Sequence, residues 1–492
     1  MLFSYENLYR QYLKCRRNKR NTANALRFEV RQEENLLDLK AVLESRTYTP
    51  SRSVCFVTQR PKLREIFAAD FRDRVVHHVL VDFLERIWEP IFIHDSYACR
   101  QGKGVHAGVQ RLQTFIRQAT ANGTRPAWYL QLDIRNFFMS IDKAILFEML
   151  EKRLNDPDAL WLTRVLVFHD CTRNYVMKGD AALFDRLPPH KTLFACPPGK
   201  GLPIGNLNSQ FFANVYLNAL DQFVKHSLKC RWYLRYCDDF VLLATDPAQL
   251  REWRARIADF LRERLLLELN PAREHLRPVS DGVDFLGYIV RRDYLLVRRR
   301  VVGHLRERLL SYERCLVLEG PGYRRFCFDP SELDEMQAVL GSYLGHFKLA
   351  ASYSLRQRLW RRFPFLGEFV SISEKTGKLT RKDACPAGVR GVARQYWHFR
   401  RRFAGDVLFF QVGRFMEFYQ PGDVLIAREL GLTGMKANRR RARFGFPVAQ
   451  AGHHLLTLLR SGHAVTLISE TGRLLDGVKE RVPRYRFQRR EC

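Results

Sequence analysis

The chain has no Cys-x-x-Cys pair, no apolar run of membrane-spanning length, no internal repeat and no low-complexity tract, and its acids are few beside its bases. Each absence excludes a class. The 11 cysteines are odd in number and scattered, which argues against a disulfide framework and a zinc ribbon and for a reducing cytosol. The opening MLFSYENLYRQYLKCRRNKR lacks the apolar core of a signal sequence, so a cytoplasmic location without membrane partners is expected. The shortage of acids says most: 52 Asp and Glu stand against 82 Lys and Arg, a formal net charge of +30 over 492 residues. Such an excess calls for a polyanionic partner. Arg dominates the bases, and its planar fork grips phosphate and stacks on bases, which favours nucleic acid.

What is present is an ordinary globular composition, 46% hydrophobic, in a chain long enough for roughly two to four domains. Short apolar runs such as WYLQLDI and FVLLAT among amphipathic stretches such as RVVHHVLVDFLERIW predict a large α+β domain over 1–290. Residues 291–367 turn helical and very basic, from LVRRRVVGHLRERLLSYERCL to SLRQRLWRRF, and predict a helical domain with a cationic face. A polar stretch within 368–403 reads as a linker, and 404–492 as a small α/β module.

In RYCDDFVLL, residues 235–243, two adjacent acids sit at the tip of a predicted hairpin, an expensive place for uncompensated charge. Upstream, WYLQLDIRNFFMSID predicts a strand that ends at Asp133. Three carboxylates from neighbouring strands can hold two Mg²⁺ ions for an in-line displacement on a phosphate. On residue types alone Asp142 competes with Asp133 for the third place, and a solvated Asp-Asp turn is the plainer reading.

The order of motifs decides further. Asp133 followed by Phe138, the run GLPIGNLNSQFFANVYLNALD at 201–221, Tyr236-Cys237-Asp238-Asp239 and VDFLGY at 283–288 resemble the palm motifs of reverse transcriptases. The resemblance covers roughly 1–365 and implies a right-hand polymerase of fingers, palm and helical thumb. It implies Asp133, Asp238 and Asp239 as catalytic metal ligands, and Phe138 as a steric gate against a 2′-hydroxyl. Lys62, Arg64 and Arg74 would clamp the triphosphate, with Ile204, Gly205 and Gln210 also at the nucleotide, and Phe285, Leu286, Gly287 and Tyr288 would grip the primer. Arg273 stands where related enzymes carry a Lys that protonates pyrophosphate, a role Arg fills poorly.

Pro203-Ile204-Gly205 with Ser209-Gln210 resembles the enzymes of diversity-generating retroelements, which copy a template-repeat RNA into adenine-mutagenised cDNA. Template RNA, cDNA/RNA heteroduplex, dNTPs and a basic accessory variability protein are the partners this implies. Group II intron, retron and defence-associated enzymes are the alternatives, and a non-catalytic RNA-binding protein is the alternative of another class. In the tail, LFFQVGRFMEFYQPGDV and GFPVAQAGHHLLTLLRSGHAVTLISETG resemble the N-terminal mismatch-recognition domain of MutS, with Phe415 as the wedge and Glu417 as its hydrogen-bonding partner. Arg414 replaces the Asp of that motif. His453 and His454 read as ordinary helix residues, without a third ligand at metal-binding spacing.

Overall fold

The structure, a computed structural model, describes residues 1–17, 22–59, 62–373, 378–385, 389, 391–420, 422–434, 444–475 and 477–489. It divides into two compact units, Met1–Tyr294 and Leu295–Cys492. Every candidate site residue lies among the described residues. Parts of the expected linker, and the tail segment 435–443, do not.

In the first unit the strands are β1 (Ser53–Thr58), β2 (Arg64–Ala68), β3 (Trp128–Asp133), β4 (Tyr175–Met177), β5 (Trp232–Tyr236), β6 (Asp239–Ala244), β7 (His275–Pro278), β8 (Val283–Phe285) and β9 (Tyr288–Val290). The central sheet is antiparallel in the order β5-β6-β3-β7. Its central strands β3 and β6 are mostly apolar because both faces are covered, whereas the edge strand β7, His-Leu-Arg-Pro, is largely exposed. The helix Pro247–Leu265 packs on β3 and β6, and the helix Val105–Ala119 on β5 and β6. Leu130, Leu132, Phe240 and Leu242 thus share one buried cluster with Ile257 and Leu261. Asp246 starts the first of these helices by accepting the Ala248 N–H at 2.8 Å, with Pro247 at the first helical position, where its missing N–H costs nothing.

A second small sheet, β2-β1-β4, takes two strands from before β3 and one from after it; β1 pairs antiparallel with β2 and parallel with β4. β8 and β9 form a hairpin whose two turn residues, Leu286 and Gly287, both have positive φ (50° and 91°), the geometry that matches the twist of paired strands.

The second unit holds β10 (Leu295–Val297), β11 (Val317–Gly320), β12 (Tyr323–Cys327), β13 (Val370–Ile372), β14 (Leu379–Arg381), β15 (Val407–Val412), β16 (Phe415–Phe418), β17 (Phe444–Pro447), β18 (Val465–Leu475) and β19 (Val478–Arg489). The basic helices Arg299–Leu316 and Tyr353–Arg362 are present, with the acidic helix Pro330–Phe347 between them, but before that helix the β11–β12 hairpin leaves to pair with the last strand. The result is one seven-stranded sheet, β11-β12-β19-β18-β15-β16-β17. The helical region and the tail, expected as separate modules, therefore share a sheet, because β12 covers the edge that β19 would otherwise leave open. The stretch read as a linker is also packed structure over much of its length. Phe369, Val370, Tyr396, Phe399 and Phe403 lie in the same buried cluster as Leu309, Leu340 and Phe410. Among the described residues no helix is long and apolar enough to cross a membrane.

Candidate active site and C-terminal wedge

Asp133 ends β3 and Asp239 opens β6, and the two stand directly opposite each other in register. Opposite residues share a face, so both carboxylates project from the same side of the sheet end. Asp238 occupies the two-residue turn between β5 and β6, next to Cys237 with φ 57°, and its carbonyl accepts the Ile134 N–H at 3.3 Å. Asp142, the competing acid, is spent elsewhere: it caps the helix Lys143–Glu151, accepting the N–H groups of Ala144 and Ile145 at 3.0 and 3.1 Å.

The turn is fixed from beneath by Arg235, a fully buried side chain. Its guanidinium is bidentate to Asp221 at 2.8 and 2.6 Å and donates to Asn214, Ser96 and the Cys237 carbonyl at 3.3, 3.2 and 3.0 Å. All its donors are satisfied, the condition under which a buried ion pair is tolerated. Burial raises the carboxyl of Asp239 to about 7; the Gln131 amide, donating at 3.0 and 3.3 Å, opposes the rise, and the charges of Asp238 and Asp133 add to it. Asp238 is raised as well, by burial first and Asp133 second. Asp133 receives Asn270 at 3.0 Å and Arg273 at 3.3 Å.

Lys62 and Arg64 belong to this field. Burial, then repulsion from Arg273 and Arg64, lower the Lys62 ammonium, while Asp133 and Asp238 pull it back. Arg64 is in turn among the charges that steady Asp238. Arg74 donates its Nε–H to the Ala69 carbonyl at 2.9 Å. Phe138 is half-buried on the short helix Phe137–Ser140, and its carbonyl accepts the Leu202 N–H at 2.8 Å, which ties it to the Gly-Leu-Pro-Ile-Gly loop. That loop runs alongside β2: Phe67 N–H donates to the Ile204 carbonyl at 3.0 Å, and Ala69 N–H to the Asn206 side chain at 3.1 Å. Gly205, φ 119°, has no room for a side chain, since a Cβ would lie 2.8 Å from Ile66 and 3.2 Å from the Phe67 carbonyl. The Ile204 side chain is half-buried against the cluster of Cys55, Phe67, Met139, Cys171 and Leu193. Gln210 is exposed on the first turn of the helix Leu207–Gln222. Phe285 and Tyr288 are buried, so only the turn Leu286-Gly287 presents the expected grip to solvent.

Gln131, Asn270, Arg235 and Asp221 support the acids without having been singled out from the sequence. Among the described residues no three His, Cys, Asp or Glu side chains already stand in a ligating group. Asp133 is directed to Asn270 and Arg273, and Asp239 to Gln131. The donor set nonetheless fits a hard divalent cation: oxygen ligands only, with charges that repel one another until neutralised.

In the tail, Phe415 and Glu417 lie two apart on β16 and share a face. Phe415 is 44% exposed at the end of the β15–β16 hairpin, whereas Glu417 is buried. Glu417 accepts the Tyr419 hydroxyl, under the helix Val392–Arg402, whose Tyr396 packs on Tyr419 and Phe410. The structure does not bring the two to the surface together.

Residues 58–290 match the family described as reverse transcriptase (RNA-dependent DNA polymerase). Residues 390–484 match MutS domain I. The chain thus carries an RNA-directed DNA polymerase domain followed by a MutS domain I. Protein YkfC of Escherichia coli is 25% identical over 287 residues, 52% of this chain and 70% of that protein. The group II intron-encoded protein LtrA of Lactococcus lactis is 23% identical over 368 residues, 60% of this chain and 56% of LtrA, so its whole length is not represented here. The mismatch repair protein MSH6 of Arabidopsis thaliana is 30% identical over 81 residues, 16% of this chain and 6% of MSH6. The polymerase domain is related to those of group II intron-encoded proteins.

Proposed function

We propose that the chain copies an RNA template into error-rich cDNA for a diversity-generating retroelement, with dNTPs as substrates, and that its C-terminal wedge senses mispairs in the product. The observation that carries the polymerase reading is the meeting of Asp133, Asp238 and Asp239 at one sheet end, opposed by Lys62 and Arg64. In this reading the three acids would hold two Mg²⁺ ions, which supply activation of the primer 3′-hydroxyl and stabilise the leaving pyrophosphate. The protein's own part is to orient the acids through Gln131, Asn270 and Arg235 and to meet the triphosphate with Lys62 and Arg64. Phe138 supplies a flat wall at the sugar.

The retroelement reading rests on Ile204 where related enzymes carry Gln. An apolar wall there offers no amide to police the nascent pair. A basic accessory protein of the element completes the proposal. Kinship with LtrA favours a second reading, an intron-type enzyme of ordinary fidelity in which Ile204 serves packing alone.

One experiment separates these readings. Purified protein extends a primer on an RNA template with Mg²⁺, and the products are sequenced. Asp238→Asn is expected to abolish extension and retain RNA binding; undiminished synthesis would remove the metal assignment. Errors are expected to concentrate opposite template adenine, and Ile204→Gln to reduce them there most. An even error spectrum, unchanged by Ile204→Gln, selects the intron-type reading.

A further inference from the structure

The second unit contains a cleft of about 750 Å³ that neither the polymerase chemistry nor the Phe415 wedge uses. One wall is the helix Val392–Arg402. Its inward stripe, Gln395, Tyr396 and Phe399, is buried, and the opposite stripe carries Arg394, Trp397, His398 and Arg401 at helical spacing. The other wall is the β13–β14 hairpin, where Ser371 and Thr380 are directly paired and place two hydroxyls side by side, with Lys382 two residues beyond. Arg402 closes the set.

No carboxylate lines this cleft among the described residues. The nearest acids are engaged: Asp383 pairs with Arg381, and Glu368 with Arg486. Four cations and two hydroxyls therefore converge on a lining without a carboxylate; Lys382 and Arg402 also donate to the Gly367 and Arg381 carbonyls and feel Glu368 and Asp383 from behind, whereas Arg394 and Arg401 face the cleft. Trp397 is 42% exposed, an unusual state for an indole unless a flat partner covers it. The Nε2 atom of His398 is shut from solvent with no hydrogen-bond partner. Burial lowers Lys382, Arg402 and His398, and neighbouring arginines lower Lys382 and His398 further, so an anion in the cleft would relieve all three.

We infer that this cleft is a separate binding site for an unpaired nucleic-acid strand, which stacks a base on Trp397 and lays its phosphates along Arg394, Arg401, Lys382 and the Ser371–Thr380 hydroxyl pair. The indole decides for an unpaired strand over a duplex, because the faces of paired bases are covered by their neighbours while a free base has one to offer. The cations provide affinity without sequence preference. The cleft volume admits one or two nucleotides, so the site holds a strand end or a flanking single-stranded segment while the polymerase domain is occupied.

The test uses the full chain with its polymerase site saturated by an excess of a hairpin template–primer. A short oligo(dU) carrying 5-iodouracil is then added, irradiated, and the crosslinked peptide identified by mass spectrometry. The crosslink is expected on Trp397. Affinity for the same oligonucleotide is expected to fall about tenfold in Trp397→Ala and in the exposed pair Arg394→Glu with Arg401→Glu, and to be largely kept in Trp397→Phe, which still stacks. Extension of the hairpin should be unaltered in all of them, which shows that the fold survives. A crosslink that maps elsewhere, unchanged affinity in the charge-reversed variant, or equal competition by fully paired duplex would each overturn the assignment.

Discussion

Asp239 carries a carboxyl that the fold raises to about 7, and the cause is burial next to two further acids. In the unfolded chain the same group titrates near about 4. Between these values the folded protein retains a proton that the unfolded chain has released. Its contribution to stability is therefore full below about 4 and is lost as pH rises through 7. A divalent cation reverses the penalty by neutralising the ionised acids. The thermal midpoint with a chelator is expected to fall between pH 5.5 and 8, and Mg²⁺ to raise it more at pH 8 than at pH 5.5. Calorimetry at both values, with and without the ion, checks this, and Asp239→Asn should remove most of the difference. Phe415 is the other residue with a distinct expectation. Since it is exposed and Glu417 is buried, Phe415→Ala should leave the melting curve unchanged yet abolish any preference for singly mispaired over matched duplex, as measured by competition binding at fixed salt.

The β5–β6 hairpin shows how an element carries a site. Asp238 stands at its turn because the Cys237 carbonyl is held by Arg235, which is itself clamped by Asp221. Removing one partner strands the other charge in the core, so Arg235→Ala should cost about 3–5 kcal/mol and reduce polymerisation even where the protein still folds. Denaturant titration alongside the extension assay measures both. Much of this element was legible beforehand: Tyr-x-Asp-Asp between two apolar runs specifies a hairpin with acids at its tip, and Asp133 ends an equally plain strand. Arg235 and Asp221 were not legible, because a buried ion pair leaves no periodic trace in sequence. Nor was Asn270, which reaches Asp133 from 137 residues away. Glu417 was misjudged for a related reason. The helix that packs on its partner Tyr419, Val392–Arg402, lies in a stretch whose polar flanks read as a linker, so nothing in β16 alone marks that face as covered.

At the scale of the whole molecule the seven-stranded sheet governs what can be separated. Phe410, Val412, Tyr419 and Ile468 from the tail share a buried cluster with Phe328, Phe369, Tyr396 and Phe403, and β12 takes its pairing from β19. Deleting 404–492 is therefore expected to unfold the second unit as a body, seen as loss of its melting transition and as aggregation through the bared β12 edge. The MutS domain I match begins at residue 390, yet the strand that completes its sheet edge is contributed by residues 323–327, long before that boundary. A recombination event that exchanged only the C-terminal gene segment would strand a hairpin made for another partner. Polymerase and appendage are thus joined by the β12–β19 ladder as well as by the chain itself, so a segment exchanged at residue 390 would have to bring a last strand that fits β12.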